Sequence, residues 1–161
     1  MISGIGTVLM ADSRGIADLS ERVSPVELIE RLNRATTAMI HAVEKSGGVV
    51  HQYVGGSLIA YWTPERMPAA ARDAISAATE VVAACGESVA VSVAVADLAV
   101  SEVGGGAASR SILLGAAYQR AEATIRVASS GGVAVDSATL RSLPADIGSR
   151  FVLKGGHAEL R

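Results

Sequence analysis

Aromatic side chains are scarce in this 161-residue chain, which has one Phe, one Trp and three Tyr, so its interior has to be filled by small aliphatic residues. Hydrophobic residues still make up half of the sequence, enough for one compact domain with its own core. Cysteine is limited to Cys85, which excludes an internal disulfide. With no basic segment ahead of an apolar run at the N-terminus, this predicts a reducing, cytoplasmic setting. No apolar stretch is long enough to span a bilayer, because Glu, Gly and Ser interrupt each one, and no membrane role is expected. A basic surplus is also missing: the net charge is -2 without a cationic cluster, so the chain does not attract phosphate backbones and nucleic acid is not an expected partner.

Constellations that carry chemistry are equally few. His41, His51 and His157 have no Cys, Asp or second His at metal-ligand spacing. His51 reads as a half-exposed sheet residue. Cys85 lacks a neighbouring His or basic cluster and reads as a packed thiol. The run Gly104-Gly105-Gly106 lacks the strand-to-helix frame of a dinucleotide site and reads as a loop tip.

What is present is an alternation of strands and helices. Thr7 to Asp12 reads as a buried strand. Ser24-Pro25-Val26-Glu27 is a capping box with Pro at the first helical position. Leu28, Ile29, Leu32, Met39, Ile40 and Val43 follow at helical spacing, with Glu27 before Arg31 and Glu30 before Arg34 on the outer face, until Gly47-Gly48. Val49 to Val54 and Ser57 to Trp62 form a hairpin about Gly55-Gly56, where both turn positions tolerate positive φ. Pro68 to Cys85 is an Ala-rich helix, and Val89 to Val100 a central strand running into an edge ribbon. A short strand at Ser111 to Leu114, a helix at Ala116 to Val127, a strand at Val133 to Val135, a helix capped by Asp136 and a strand at Phe151 to Leu153 complete the order. This pattern builds an α+β sandwich with a ferredoxin-like core, a mostly antiparallel sheet and helices on one face.

The segment LMADSRGIADLSE ends an apolar run on Asp12 and enters a loop, the place where a metal-phosphate site begins. LMADSRGIADLSERVSPVELIERLN resembles the opening of the class III nucleotidyl cyclase catalytic domain, the adenylate and guanylate cyclase fold. The resemblance continues through KSGGVVHQYVGGSLIAYW, VSVAVADLAV, LLGAAYQRAEAT and FVLKGG, and it implies that residues 1–161 are a single cyclase-homology domain. The turn YVGGSLIAYW also resembles that of diguanylate cyclases, but Ser57 and Leu58 replace their acidic pair.

The family uses two Asp residues to hold two divalent ions. Asp12 matches the first, and Gly56 stands where the second belongs. The resemblance therefore implies at most a weakly held Mg²⁺ or Mn²⁺ at Asp12 and no other cofactor. Gln52 takes the place of the purine-reading Lys, and Ile112 that of the group accepting from the adenine amine. Gln119 replaces the ribose-orienting Asn and Ala123 the transition-state Arg, a loss typically worth a few kcal/mol. The loop Ser13, Arg14, Gly15, Ile16 and Ala17 is a candidate phosphate cradle through its amides, with an ordinary tight turn as the alternative. Asp12 itself has two readings, a cap for that turn or a metal ligand.

These replacements imply a catalytically inactive homologue, a signalling or regulatory module that contacts protein through a cyclase-like dimer surface. Homodimer and heterodimer are both compatible, the former through the hairpin strand and the region after Gly106. The former cleft, lined by Gln52, Ile112, Gln119 and Ala123, suits an uncharged small molecule or a closed protein interface. The alternatives are a nucleotide-binding sensor, or a residual cyclase converting ATP or GTP with Asp12 and a second ligand such as Asp18 or Asp97.

Overall fold

One long strand with two apolar faces organises the fold. In the computed structural model, which describes residues 1–106 and 109–160, β1 (Ile2–Ser13) turns Leu9 and Ala11 to one side and Val8 and Met10 to the other. Each pair enters a separate core cluster. The strand begins five residues earlier than expected, at Ile2, because its ladder with β4 (Val89–Val103) runs the whole way from Ile2 opposite Val100 to Ser13 opposite Val89.

The sheet has the order β2-β3-β1-β4-β6-β8-β7, with β2 (Val49–Val54), β3 (Ser57–Trp62), β6 (Val133–Asp136), β7 (Phe151–Lys154) and β8 (His157–Leu160). β5 (Arg110–Leu114) pairs with the far end of β4, which forms the expected ribbon. Only β4 and β6 run parallel among the pairings described; the rest are antiparallel. The ferredoxin-like order β2-β3-β1-β4 is therefore present. Its crossovers are α2 (Pro25–Lys45) and α3 (Ala69–Cys85), which cover the Leu9 face with Met39, Val43, Ala74 and Ala78.

Helices occupy both faces, contrary to the expectation of one. α4 (Ala116–Ile125) lies on the Val8 face, where Ala117 and Ala121 pack with Ala94 and Leu98. The reason lies in β4, whose residues Val89 to Ala96 are buried without interruption, so both sides of the central strand require cover. Small residues let α4 sit close enough for the Ser92 hydroxyl to donate to the Ala121 carbonyl at 2.8 Å.

Local signals held where backbone chemistry is specific. The Ser24 hydroxyl accepts from the Glu27 amide at 3.2 Å and Pro25 opens α2. The reciprocal half of the capping box is absent among the described residues, because the Glu27 carboxylate pairs with Arg31 at 2.6 Å. Glu30 and Arg34 form no ion pair among them. The single Trp62 is fully buried and its indole N–H donates to the Ser46 carbonyl at 3.1 Å, tying β3 to the end of α2.

Besides two single 3₁₀ turns, Pro64–Arg66 and Gly86–Ser88, the elements beyond the expected order are the short helices α1 (Ile16–Ser20) and α6 (Ala145–Gly148), and β8, which closes a hairpin with β7 about Gly155-Gly156. The remaining helix, α5 (Ser137–Ser142), is capped as expected by Asp136, which accepts from the Thr139 amide at 2.5 Å. Among the described residues no helix is long and apolar enough to cross a membrane.

Candidate functional site

The tip of β1 meets the start of β3, where Asp12 and Ser57 are cross-strand partners. Gly55 and Gly56 take φ of 60° and 92°, so the hairpin turn uses the positive-φ conformation that its glycines were expected to supply. The Ser13 amide donates to the Gly56 carbonyl at 3.0 Å and locks the turn beside Asp12.

Asp12 is neither a backbone turn cap nor an open ligand. Its Oδ1 accepts from the Ser57 hydroxyl at 2.5 Å, and its Oδ2 faces Arg14 Nη1 at 3.5 Å. Arg14 also donates from Nη2 to the Ile125 carbonyl at 2.6 Å, linking the carboxylate to the end of α4. The Arg14 Nε is shielded from solvent and has no acceptor among the described residues. Gly56 is buried beneath Ile16, and a Cβ built at position 56 would stand 2.2 Å from the Ile16 terminal methyl. A carboxylate there needs both an unfavourable φ and a displaced Ile16.

The loop from Ser13 to Ala17 has two of its amides committed: Ser13 N to Gly56 O, and Arg14 N to Ser88 O at 2.7 Å. An open amide cradle over all five positions is thereby ruled out in this conformation. The loop passes directly into α1, with Gly15 at φ 72° as its N-cap.

Beside Asp12 lies a cavity of about 280 Å³ lined by Asp12, Ser57, Ile59, Tyr118, Glu122 and Arg126, among others. The expected lining of Gln52, Ile112, Gln119 and Ala123 is not gathered in one chain. Gln52 is exposed on β2, and Ile112 sits on β5 opposite Ser101. Gln119 is exposed on α4, and Ala123 lines a different cavity with Arg120, Asp136 and His157. The cause is helical geometry, since Tyr118 and Glu122 share one face at i,i+4 spacing, whereas Gln119 and Ala123 are turned about 100° from them. The same spacing in YQRAEATIR was the available signal for Tyr118, Glu122 and Arg126, which sequence reasoning passed over.

Of the two proposed second carboxylates, Asp97 lies far from Asp12 along the ladder. Asp97 is exposed and pairs with Ile5, seven positions along the β1–β4 ladder from the Asp12–Ala90 pair, roughly 23 Å away. Asp18 is exposed on α1. Glu122 shares the cavity but pairs with Arg126 at 2.9 Å. No three His, Cys, Asp or Glu side chains converge among the described residues. Partial burial lowers the pKa of His51, which stands edge-on to Tyr61 at 6.4 Å, and raises that of the Cys85 thiol, so neither is a poised charged group.

A second polar centre lies at the opposite edge of the sheet. Burial alone would raise the pKa of Glu159, yet it is held at about 2 by hydrogen bonds from Lys154, the Ser129 amide and hydroxyl, and His157.

No protein-family model matches the chain. A curated adenylate cyclase from Anabaena cylindrica is 33% identical over 54 residues, a stretch that is 34% of this chain and 11% of that protein. The chain thus spans about a tenth of this relative's length. Among solved structures, the guanylyl cyclase Cya2 superposes with a TM-score of 0.80 at 17% identity, over 98% of this chain and 90% of that one. A non-canonical dimeric guanylyl cyclase domain from Blastocladiella emersonii gives 0.79 at 16% identity, over 99% and 96% respectively.

Proposed function

We propose, from the class III nucleotidyl cyclase fold that this chain has, that it is a non-catalytic cyclase-homology domain acting as a regulatory protein-contact module. The observation that carries this reading is the Asp12 turn. A pair of divalent ions needs several acceptor oxygens around two positions. Here one carboxylate is already engaged on both oxygens, one of them by a guanidinium, and Ile16 packs over the glycine where the second would project. The residues present do not fit the metal pair. A single ion at Asp12 would have to displace Arg14.

Protein contact is supported by exposed apolar residues on the edge strand β2, where Val49, Tyr53 and Val54 all face solvent, and by Leu114 on β5. Such residues on an unpaired strand edge favour addition of another chain. Residues 107 and 108, part of the region after Gly106 expected to join the interface, lie outside the described residues. We place the module in the cytoplasm on the strength of its single free thiol.

The deciding experiment is incubation with ATP or GTP and Mn²⁺. We expect no cyclic nucleotide above the enzyme-free blank. Product that disappears in Asp12→Ala overturns the proposal. Calorimetric titration with the same nucleotides, with and without metal, then separates nucleotide sensing from protein contact: heat that saturates favours a sensor.

A further inference from the structure

On the flank of α4 turned away from Asp12, a depression of about 280 Å³ lies against the end of β6 and the start of β8. Two regular arrangements build its walls. Arg120, Ala123, Thr124 and Val127 follow at i, i+3, i+4 and i+7, which brings them to one side of α4 and its C-terminal end. Asp136 and His157 are cross-strand partners on β6 and β8, so their side chains stand together on one face of the sheet. Arg120 Nε faces Asp136 Oδ2 at 3.7 Å, a loose ion pair that joins the two walls.

The polar groups here have bonding capacity to spare. Thr124 is only 4% exposed, yet its hydroxyl makes no hydrogen bond among the described residues. Unlike the Arg14 Nε, that oxygen is not sealed off from the space around it. Burying a hydroxyl without a partner is unfavourable, so a polar group bound beside it is stabilised. Arg120 makes its ion pair through Nε, and its two terminal nitrogens have no acceptor among the described residues. Asp136 receives the Thr139 amide on Oδ1 and keeps Oδ2 for Arg120 alone. The Glu159 carboxylate can only accept, so His157 donates to it from Nε2 at 3.3 Å, and Nδ1 of the neutral ring is left as an acceptor.

These groups sort into two sets. Arg120 and Thr124 suit a carboxylate, whereas Asp136 and His157 suit an ammonium. A simple anion would meet Asp136 and a simple cation would meet Arg120; a zwitterion satisfies both and brings no net charge. We propose that this depression binds a free α-amino acid with a short aliphatic side chain. Its carboxylate bonds to Arg120 and the Thr124 hydroxyl, its ammonium to Asp136 and His157, and its side chain packs on Ala123 and Val127. The volume lies below the roughly 300–1,000 Å³ of sites for drug-sized ligands, so the ligand is compact. The site goes beyond the non-catalytic reading and does not depend on it, because Asp12 takes no part.

The test is titration of the full chain with L-valine, isovalerate and isobutylamine, read by calorimetry and by amide chemical shifts. The second probe lacks the ammonium of the first, and the third lacks its carboxylate. L-valine is expected to bind at least about tenfold more tightly than either, the usual weight of one charge-assisted hydrogen bond. Thr124→Val keeps the volume and removes the hydroxyl, so it should weaken L-valine by roughly 3- to 10-fold. Asp136→Asn keeps a side chain able to cap α5 and removes the charge, so the preference for L-valine over isovalerate should vanish. Arg120→Gln should abolish the preference over isobutylamine in the same way. A purely structural role for either residue would lower all affinities together and leave these ratios intact. Arg31→Gln, on α2, should change nothing, and thermal unfolding confirms that each variant is folded. Equal affinity for the three probes, an unaffected Thr124→Val variant, ratios unmoved in both charge variants, or no binding at millimolar L-valine overturns the proposal.

Discussion

At the scale of single residues, position 56 decides the character of the Asp12 turn. Its φ of 92° lies where side chains are strained, so Gly56→Ala should lower stability by about 1–3 kcal/mol in urea denaturation. Any Cβ at this position also displaces the Ile16 methyl, so combining Gly56→Ala with Ile16→Ala should recover part of the loss but not the part due to φ. Full recovery in the double variant would show that crowding, not backbone strain, is the obstacle. The glycine pair announced a turn in the sequence. That Ile16, forty residues earlier, would fill the space above it was not legible, because the contact depends on α1, a helix of one turn with no periodicity to reveal it.

Glu159 gives the pH dependence. Its folded pKa of about 2 lies below the ordinary 4.5, so the unfolded chain binds this proton more readily. The associated stability is complete above pH 4.5 and is lost as pH falls towards 2, about 3 kcal/mol in all. Glu159→Gln should therefore be less stable than the parent at neutral pH, with the gap closing in acid. Denaturation midpoints measured across that range check it, and a constant gap refutes it. Nothing around FVLKGGHAELR in the sequence marks this carboxylate as buried, since its partner Ser129 comes from a loop 30 residues away.

At the scale of elements, the most legible helix was α2, because a Ser cap, an N-terminal Pro and a terminal glycine pair are local signals that tertiary packing does not override. Ser24→Ala should cost about 1 kcal/mol. A less visible device joins α5 to the sheet. The parallel β4–β6 ladder ends at Val93 opposite Val135, and the buried Thr139 hydroxyl accepts from the Val95 amide at 3.0 Å. Thr139→Val keeps the volume but leaves that amide unpaired, so a loss of about 1–3 kcal/mol is expected in denaturant unfolding. A neutral outcome would mean that the amide finds another acceptor. In the sequence Thr139 is one more polar residue in SATLRS, and only the end of a ladder gives its hydroxyl work.

At the scale of the whole molecule, the exposed edge of β2 bears on assembly. We expect concentration-dependent self-association in sedimentation velocity, suppressed by Val54→Lys, whose side chain is already exposed and whose replacement should leave folding intact. A monomer at high concentration, or a Val54→Lys variant that associates equally well, counts against this surface. The sequence had placed the hairpin and both its strands with correct bounds, Val49–Val54 and Ser57–Trp62. It had placed α4 along the chain but not on the second face, because a sheet buried on both sides and one buried on a single side read alike when the central strand is apolar.

By itself, the sequence determined the order of the longer elements, the Gly55-Gly56 turn and the α2 cap, and through them a ferredoxin-like sheet, because each rests on φ preferences and hydrophobic spacing within a few neighbouring residues. The tertiary structure alone decided which side chains share a cavity. Tyr118 and Glu122, not Gln119 and Ala123, share a cavity with Asp12, and Arg14 links the Asp12 carboxylate to the end of α4. Such groupings follow from helix rotation and strand register over long sequence separations, and no local pattern encodes them.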